Sequence, residues 1–174
     1  MSVPDKPVAL RPADPADAKA VADIWCDGWR DGHLGHVPRD LVTARTAESF
    51  ASRAARRVED TVVAVFDGAV AGFVMVVADE VEQVYVSRAY RGTGVAAVLL
   101  AEAERLVGEH GHDRAWLAVA AGNARARRFY QRQGWTDEGP FDYPAEGPDG
   151  PIHVPCHRYA KHLAGRRGKD IRLP

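Results

Sequence analysis

The chain has 174 residues, enough to bury one sizeable core and about the length of a single domain. Its 23 Lys and Arg against 24 Asp and Glu leave a formal net charge of -1, which gives no electrostatic case for nucleic acid or a membrane surface, although nineteen of the basic residues are arginine. Cys26 and Cys156 are too few and too far apart for a metal-site pattern, no stretch approaches eighteen apolar residues, and residues 1–7 lack a basic segment followed by an apolar run; the expectation is a cytoplasmic chain with free, buried thiols and no metal.

Residues 8–12 read as a short first strand, and Asp14 or Asp17 caps a helix whose Ala18, Val21, Ile24 and Trp25 recur at helical spacing. Residues 27–40 hold three glycines, a proline and two histidines, which predicts a loop or broken helix, with a further helix over 44–58. Residues 61–66 and 69–77 form a hairpin joined by Asp67-Gly68, the strongest short turn signal in the chain, and 81–86 continues the sheet. A helix then starts near Gly94, keeps Val95, Leu99, Ala103 and Leu106 on one face, and ends at Gly108 or Gly111. Residues 115–120 are a further strand. A short helix capped by Asn123 stops at Gly134, the chain is rich in Gly and Pro through Gly150, 152–159 is a last strand, and 164–174 is a loose tail. About 16 helical residues at roughly 1.5 Å rise span about 24 Å, close to the length of the return strand, so 81–120 reads as a strand, helix and parallel strand.

The run Val84-Tyr85-Val86-Ser87-Arg88-Ala89-Tyr90-Arg91-Gly92-Thr93-Gly94-Val95-Ala96 carries an apolar strand through a basic, glycine-rich turn into a helix. The first amides of a helix have no intrahelical partner and lie at the positive end of its dipole, so together they favour a phosphate. Gly92 and Gly94 permit a sharp turn, and Arg91 can add a forked hydrogen bond to the same anion. The letters Gly92-Thr93-Gly94-Val95-Ala96-Ala97 also fit a dinucleotide-binding turn. That reading needs an acidic residue at the end of the next strand, and residues 115–123 supply none.

The second element is Asn123-Ala124-Arg125-Ala126-Arg127-Arg128-Phe129-Tyr130-Gln131-Arg132-Gln133-Gly134-Trp135, a punctuated helix with Ala126, Phe129 and Tyr130 on one face. With both motifs in order, the chain resembles the GCN5-related N-acetyltransferase (GNAT) superfamily. The family's cofactor loop reads (Gln/Arg)-x-x-Gly-x-(Gly/Ala), matched by Arg91, Gly94 and Ala96. Its later helix reads roughly Asn-x-x-Ala-x-x-(Phe/Leu)-Tyr-x-x-x-Gly-(Phe/Trp), matched by Asn123, Ala126, Phe129, Tyr130, Gly134 and Trp135. One departure is Arg88, where family members commonly carry proline.

The resemblance covers most of residues 7–163 and implies a single-domain α/β (α+β) fold, with a mixed, mostly antiparallel central sheet flanked by helices on both faces; residues 1–6 and 164–174 are then flexible termini. It implies transfer of an acetyl group from acetyl-CoA to a primary amine, on a small molecule or a peptide, by direct attack in a ternary complex; the alternative is a non-catalytic acyl-CoA sensor. The backbone at Val84 and Val86 is expected to pair with the pantetheine arm, the loop of Arg91, Gly92, Thr93, Gly94, Val95 and Ala96 to take the pyrophosphate, and Asn123 to touch the cofactor arm. Tyr130 holds the family's general-acid position, and its ordinary pKa of about 10 keeps it protonated. Glu80 and Glu82 share strand parity and are the candidate bases, with His33 and His36 as competitors for that role or as pocket walls beside Trp29. Asp27 and Asp31 could attract a cationic amine, with Phe141 and Tyr143 as apolar walls. A homodimer is left open.

Overall fold

The computed structural model describes residues 7–164. The expected flexible termini, apart from residue 164, lie outside the described residues. Strand β1 (Ala9–Pro12) leads to a 3-10 turn at Pro15–Asp17, where Asp14 accepts from the Ala16 amide at 2.8 Å and Asp17 accepts from the Asp14 amide at 2.9 Å. This reciprocal cap starts helix α1 (Ala18–His33), followed by α2 (Arg39–Ala44) and α3 (Ala47–Arg56). Strands β2 (Thr61–Phe66) and β3 (Ala69–Val77) close through Asp67 and Gly68, at φ 51° and 81°, the turn whose twist suits a hairpin. Then come β4 (Glu80–Val86), α4 (Val95–Glu109), β5 (Arg114–Ala120), α5 (Ala124–Arg132), β6 (Thr136–Ala145) and β7 (Ile152–His162).

These strands form one sheet in the order β1-β2-β3-β4-β5-β7-β6, antiparallel except where β4 meets β5. Alternation along the strands fixes the two layers. Val62, Ala64, Val74 and Val76 face α4 with Leu99, Leu100 and Ala103, while Val63, Phe73 and Met75 face α1 and α3. On that second face Trp25 sits 5.7 Å from Phe50 and 5.8 Å from Phe73, and each such aromatic pair adds about 0.5–1.5 kcal/mol beyond its buried area. Among the described residues no helix is long and apolar enough to cross a membrane, and both cysteines are buried free thiols.

Of four local expectations, two change and two resolve between stated alternatives. The segment 27–40 is a broken helix rather than a loop, because α1 runs through Gly28 and Gly32 to His33 and α2 starts at Arg39. A Cβ at Gly28 would lie 2.4 Å from the Tyr85 ring and one at Gly32 would lie 2.9 Å from the Asn123 amide, so these glycines serve close packing rather than chain reversal. The helix expected over 44–58 breaks at Arg45, and Thr46 caps α3 by accepting from the Ser49 amide at 3.1 Å. The Gly- and Pro-rich stretch after Trp135 contains β6, an edge strand with a register shift between Asp137 and Pro140, where proline is tolerated. Of the two glycines expected to end α4, Gly108 lies inside it and Gly111, at φ 90°, follows its end.

The β3–β4 ladder slips one residue: Val76 opposes Val81 but Met75 opposes Gln83, leaving Glu82 as a bulge. Strict alternation would put Val84 and Val86 on the side of Glu80. Instead, Val84 and Val86 pack with the α4 cluster and Tyr85 with the α1 cluster.

Candidate active site

Beyond the bulge, β4 and β5 separate. Among the described residues they pair only at Glu80 and Trp116, reinforced by the Trp116 amide donating to the Asp79 carbonyl at 3.0 Å, although both strands run on to Val86 and Ala120. The opened edge of β4 lies between two concavities. A groove of about 560 Å³ runs along Val84–Val86, Tyr90, Arg91, Gly92 and Gly94 of the loop but not Thr93, the start of α4 and the face of α5. A pocket of about 310 Å³ lies toward α1, α2 and the start of β4. Tyr130, Asn123, Ala126, Val84 and Tyr85 line both.

The loop is shaped by two glycines in the left-handed region, Gly92 at φ 76° and Gly94 at φ 88°. Thr93 donates its hydroxyl to the Tyr90 carbonyl, which braces the turn. The first helical bond at this end of α4 runs from the Val98 amide to Gly94. Among the described residues the amides of Gly92, Gly94, Val95, Ala96 and Ala97 therefore have no backbone acceptor, and all five residues but Ala97 are those expected to bind the phosphates. Arg91 reaches Asp31 at 2.8 Å, and Arg88 donates to the same carboxylate at 3.0 Å. The residue that stands in place of the family's proline thus clamps the loop to α1. Asp31, held below the usual carboxylate range first by Arg91 and then by Arg88, lines the groove and not the pocket. Asp27 lines neither.

Asn123 caps α5 by accepting from the Ala126 amide at 3.2 Å, while its amide nitrogen faces Gly32 across the junction of the two concavities. Tyr130 is wedged among Phe129, Trp135 and Tyr159, with ring centroids 5.2, 6.2 and 6.1 Å away. Burial raises the pKa of its phenol above the ordinary value, so the hydroxyl stays protonated at neutral pH.

The two glutamates line the same pocket but differ in surroundings. Glu82 is gripped by Arg57 through two bonds of 2.9 and 2.7 Å. Glu80 accepts from the Tyr143 hydroxyl at 2.7 Å, and burial raises its pKa above that of an ordinary carboxyl. His33 stacks on Trp29 with centroids 4.9 Å apart, and its Nδ1 lies 2.9 Å from the Trp29 carbonyl as donor. Burial pushes its pKa down to about 4, so it is a neutral pocket wall at pH 7. His36 packs on Gly122 and lines neither concavity; no group of three possible metal ligands occurs among the described residues.

Sequence reasoning missed Arg45, Arg53, Tyr85 and Cys156, all of which line the pocket. They lie on four separate elements or junctions, and no local spacing links them. Tyr143 does enter the pocket, through its bond to Glu80 rather than as a plain apolar wall.

The geometry has counterparts in known proteins. The sequence profile of the acetyltransferase (GNAT) family matches residues 19–135. An uncharacterised N-acetyltransferase of Mycobacterium tuberculosis is 33% identical over 78 residues, 42% of this chain and 50% of that protein, so the chain spans about half the length of the curated relatives it matches. Among solved structures, a GCN5-related N-acetyltransferase from Rhodopseudomonas palustris is similar at TM-score 0.71 and 22% identity, over 94% of this chain and 99% of that one. A second, a putative acetyltransferase from Salmonella typhimurium determined with its cofactor acetyl-CoA, is similar at TM-score 0.66 and 18% identity, over 95% of this chain and 99% of that one. With the profile spanning more than half of its residues and carrying both the loop and the tyrosine helix, this chain belongs to the GNAT acetyltransferase family.

Proposed function

We propose that this protein is an acetyl-CoA-dependent N-acetyltransferase acting on a primary amine, with acetyl donor and amine bound together. The observation that carries the reading is the meeting of groove and pocket at Tyr130, over the unpaired edge of β4.

The residues of the groove suit acetyl-CoA. Free amides at the start of α4, with Arg91 beside them, suit a pyrophosphate, and the unpaired β4 edge at Val84 and Val86 offers hydrogen-bonding backbone to an amide-containing arm. Bound acetyl-CoA supplies an activated thioester. Asn123 stands at the junction as a further polar contact. In this reading Tyr130 keeps its proton at neutral pH and passes it to the departing sulfur, whose growing negative charge supplies the driving force. Glu80 is the preferred base, since it is not neutralised by a cation and its raised pKa brings it nearer the working pH. Glu82, tied to Arg57, shapes the bulge and the field of the pocket. Trp29 and His33 form walls on the acceptor side.

The test is calorimetric titration with acetyl-CoA and CoA, followed by thiol release with a panel of amines. Micromolar binding with amine-dependent release is expected. Absence of binding contradicts the reading.

A further inference from the structure

The charged groups that line the acceptor pocket cancel in pairs with two exceptions. Glu82 is matched by Arg57, and Glu146 is shared by Arg53 at 3.5 Å and Arg56 at 3.2 Å. Glu80 bonds to a neutral phenol and keeps no cation within bonding reach. Arg45, at the junction of α2 and α3, is only 7% exposed, and among the described residues its guanidinium makes no hydrogen bond and no ion pair. The Nε atoms of Arg45 and Arg53 and the Nε1 of Trp25 are all buried and make no hydrogen bond, Arg53 Nε keeping only its ion pair with Glu146, and all three residues line this pocket. Arg53 lies over the Trp25 ring at 4.3 Å, which binds two of these residues into one wall.

A guanidinium largely withdrawn from water, with Glu146 acting on it only at a distance and no hydrogen bond or ion pair of its own, is costly, and buried polar groups are nearly always paired. Burial, helped by the neighbouring Arg53 and opposed by the field of Glu146, lowers the pKa of Arg45 only to about 10, so it carries its charge at neutral pH. The planar fork of arginine matches a carboxylate in a way that a lysine does not. A volume of about 310 Å³ is at the lower end for ligand pockets and suits a compact molecule.

We propose that the acceptor is a small amino-acid-like zwitterion, whose carboxylate is held by Arg45 and whose amine is presented to Glu80, a substrate class that rests on the acetyltransferase reading above. Arg45 is then a specificity residue: it selects which amine enters and takes no part in proton transfer.

The test compares free L-amino acids with their matched carboxamides, by thiol release and by calorimetric titration into the acetyl-CoA-treated protein. For at least one side chain the free acid is expected to show kcat/KM at least tenfold above its carboxamide. In Arg45→Gln that preference is expected to collapse by roughly 10- to 100-fold, chiefly through KM, as loss of a charge-assisted pair implies. Arg45→Lys is expected to restore it in part, which guards against a variant that merely misfolds. Carboxamides that equal or surpass every free acid, a preference that survives Arg45→Gln, or turnover of neither series by a protein that binds acetyl-CoA would each overturn the inference. Failure to bind acetyl-CoA would overturn the enzyme reading itself.

Discussion

Tyr130 is held on three sides by aromatic rings, and its hydroxyl is the one part of it that a conservative change can remove without emptying the site. Tyr130→Phe is expected to lower turnover by roughly 10² to 10⁴, the range of general acid-base assistance, with acetyl-CoA affinity largely kept; unchanged turnover would remove Tyr130 from the mechanism. Glu80 makes a second, two-sided prediction. Burial raises its pKa in the folded chain, so a base at this position is active only above a raised value, and the acid limb of kcat/KM lies above the ordinary carboxylate range. Stability has the opposite sign. A carboxyl with a raised folded pKa contributes fully below its unfolded value and loses that contribution as pH rises through the folded one. Glu80→Gln is therefore expected to abolish the acid limb and slow the reaction, yet to raise the thermal midpoint at neutral pH. A retained limb moves the base elsewhere. Tyr130 and Asn123 were legible in the sequence because each sits in a spaced motif. Arg45 was not, since it lies in an irregular joint and becomes notable only through burial and the company of Arg53 and Trp25.

At the scale of elements, the turn into α4 requires two left-handed residues, and glycine adopts that conformation without strain. Gly94→Val forces a β-branched side chain into φ 88°, at a cost on the order of 1–3 kcal/mol, and should re-aim the first amides of the helix. The expected result is loss of CoA binding by calorimetry with circular dichroism unchanged; retained micromolar affinity would contradict the seat assigned to the pyrophosphate. The hairpin at Asp67-Gly68 and the starts of α4 and α5 were readable because their signals are local turn and cap chemistry. The full length of α1 was not, because glycine reads as a breaker until the Tyr85 ring beside Gly28 gives it a packing reason. Strand β6 was hidden for a related cause: Gly139, Pro140 and Pro144 discourage an interior strand but are acceptable at a sheet edge.

For the molecule as a whole, the parallel step from β4 through α4 to β5 was expected from segment lengths, and the rest of the sheet is antiparallel. The separation of those two strands was not readable from the residues themselves. It accompanies a one-residue slip against β3, which leaves Glu82 unopposed and sets Val84 and Val86 on the α4 side. A phosphate-suited loop, an unpaired strand edge, a protonated phenol and an uncancelled carboxylate lie around one junction there. In the proposed reaction acetyl donor and amine bind together, a reading supported by a groove and a pocket that are open at once and share Tyr130. The most direct measurement is calorimetric titration with acetyl-CoA, paired on the same sample with thiol release upon addition of amines. Micromolar binding with release that depends on the amine is the predicted result, and a protein that binds neither acetyl-CoA nor CoA would contradict the account.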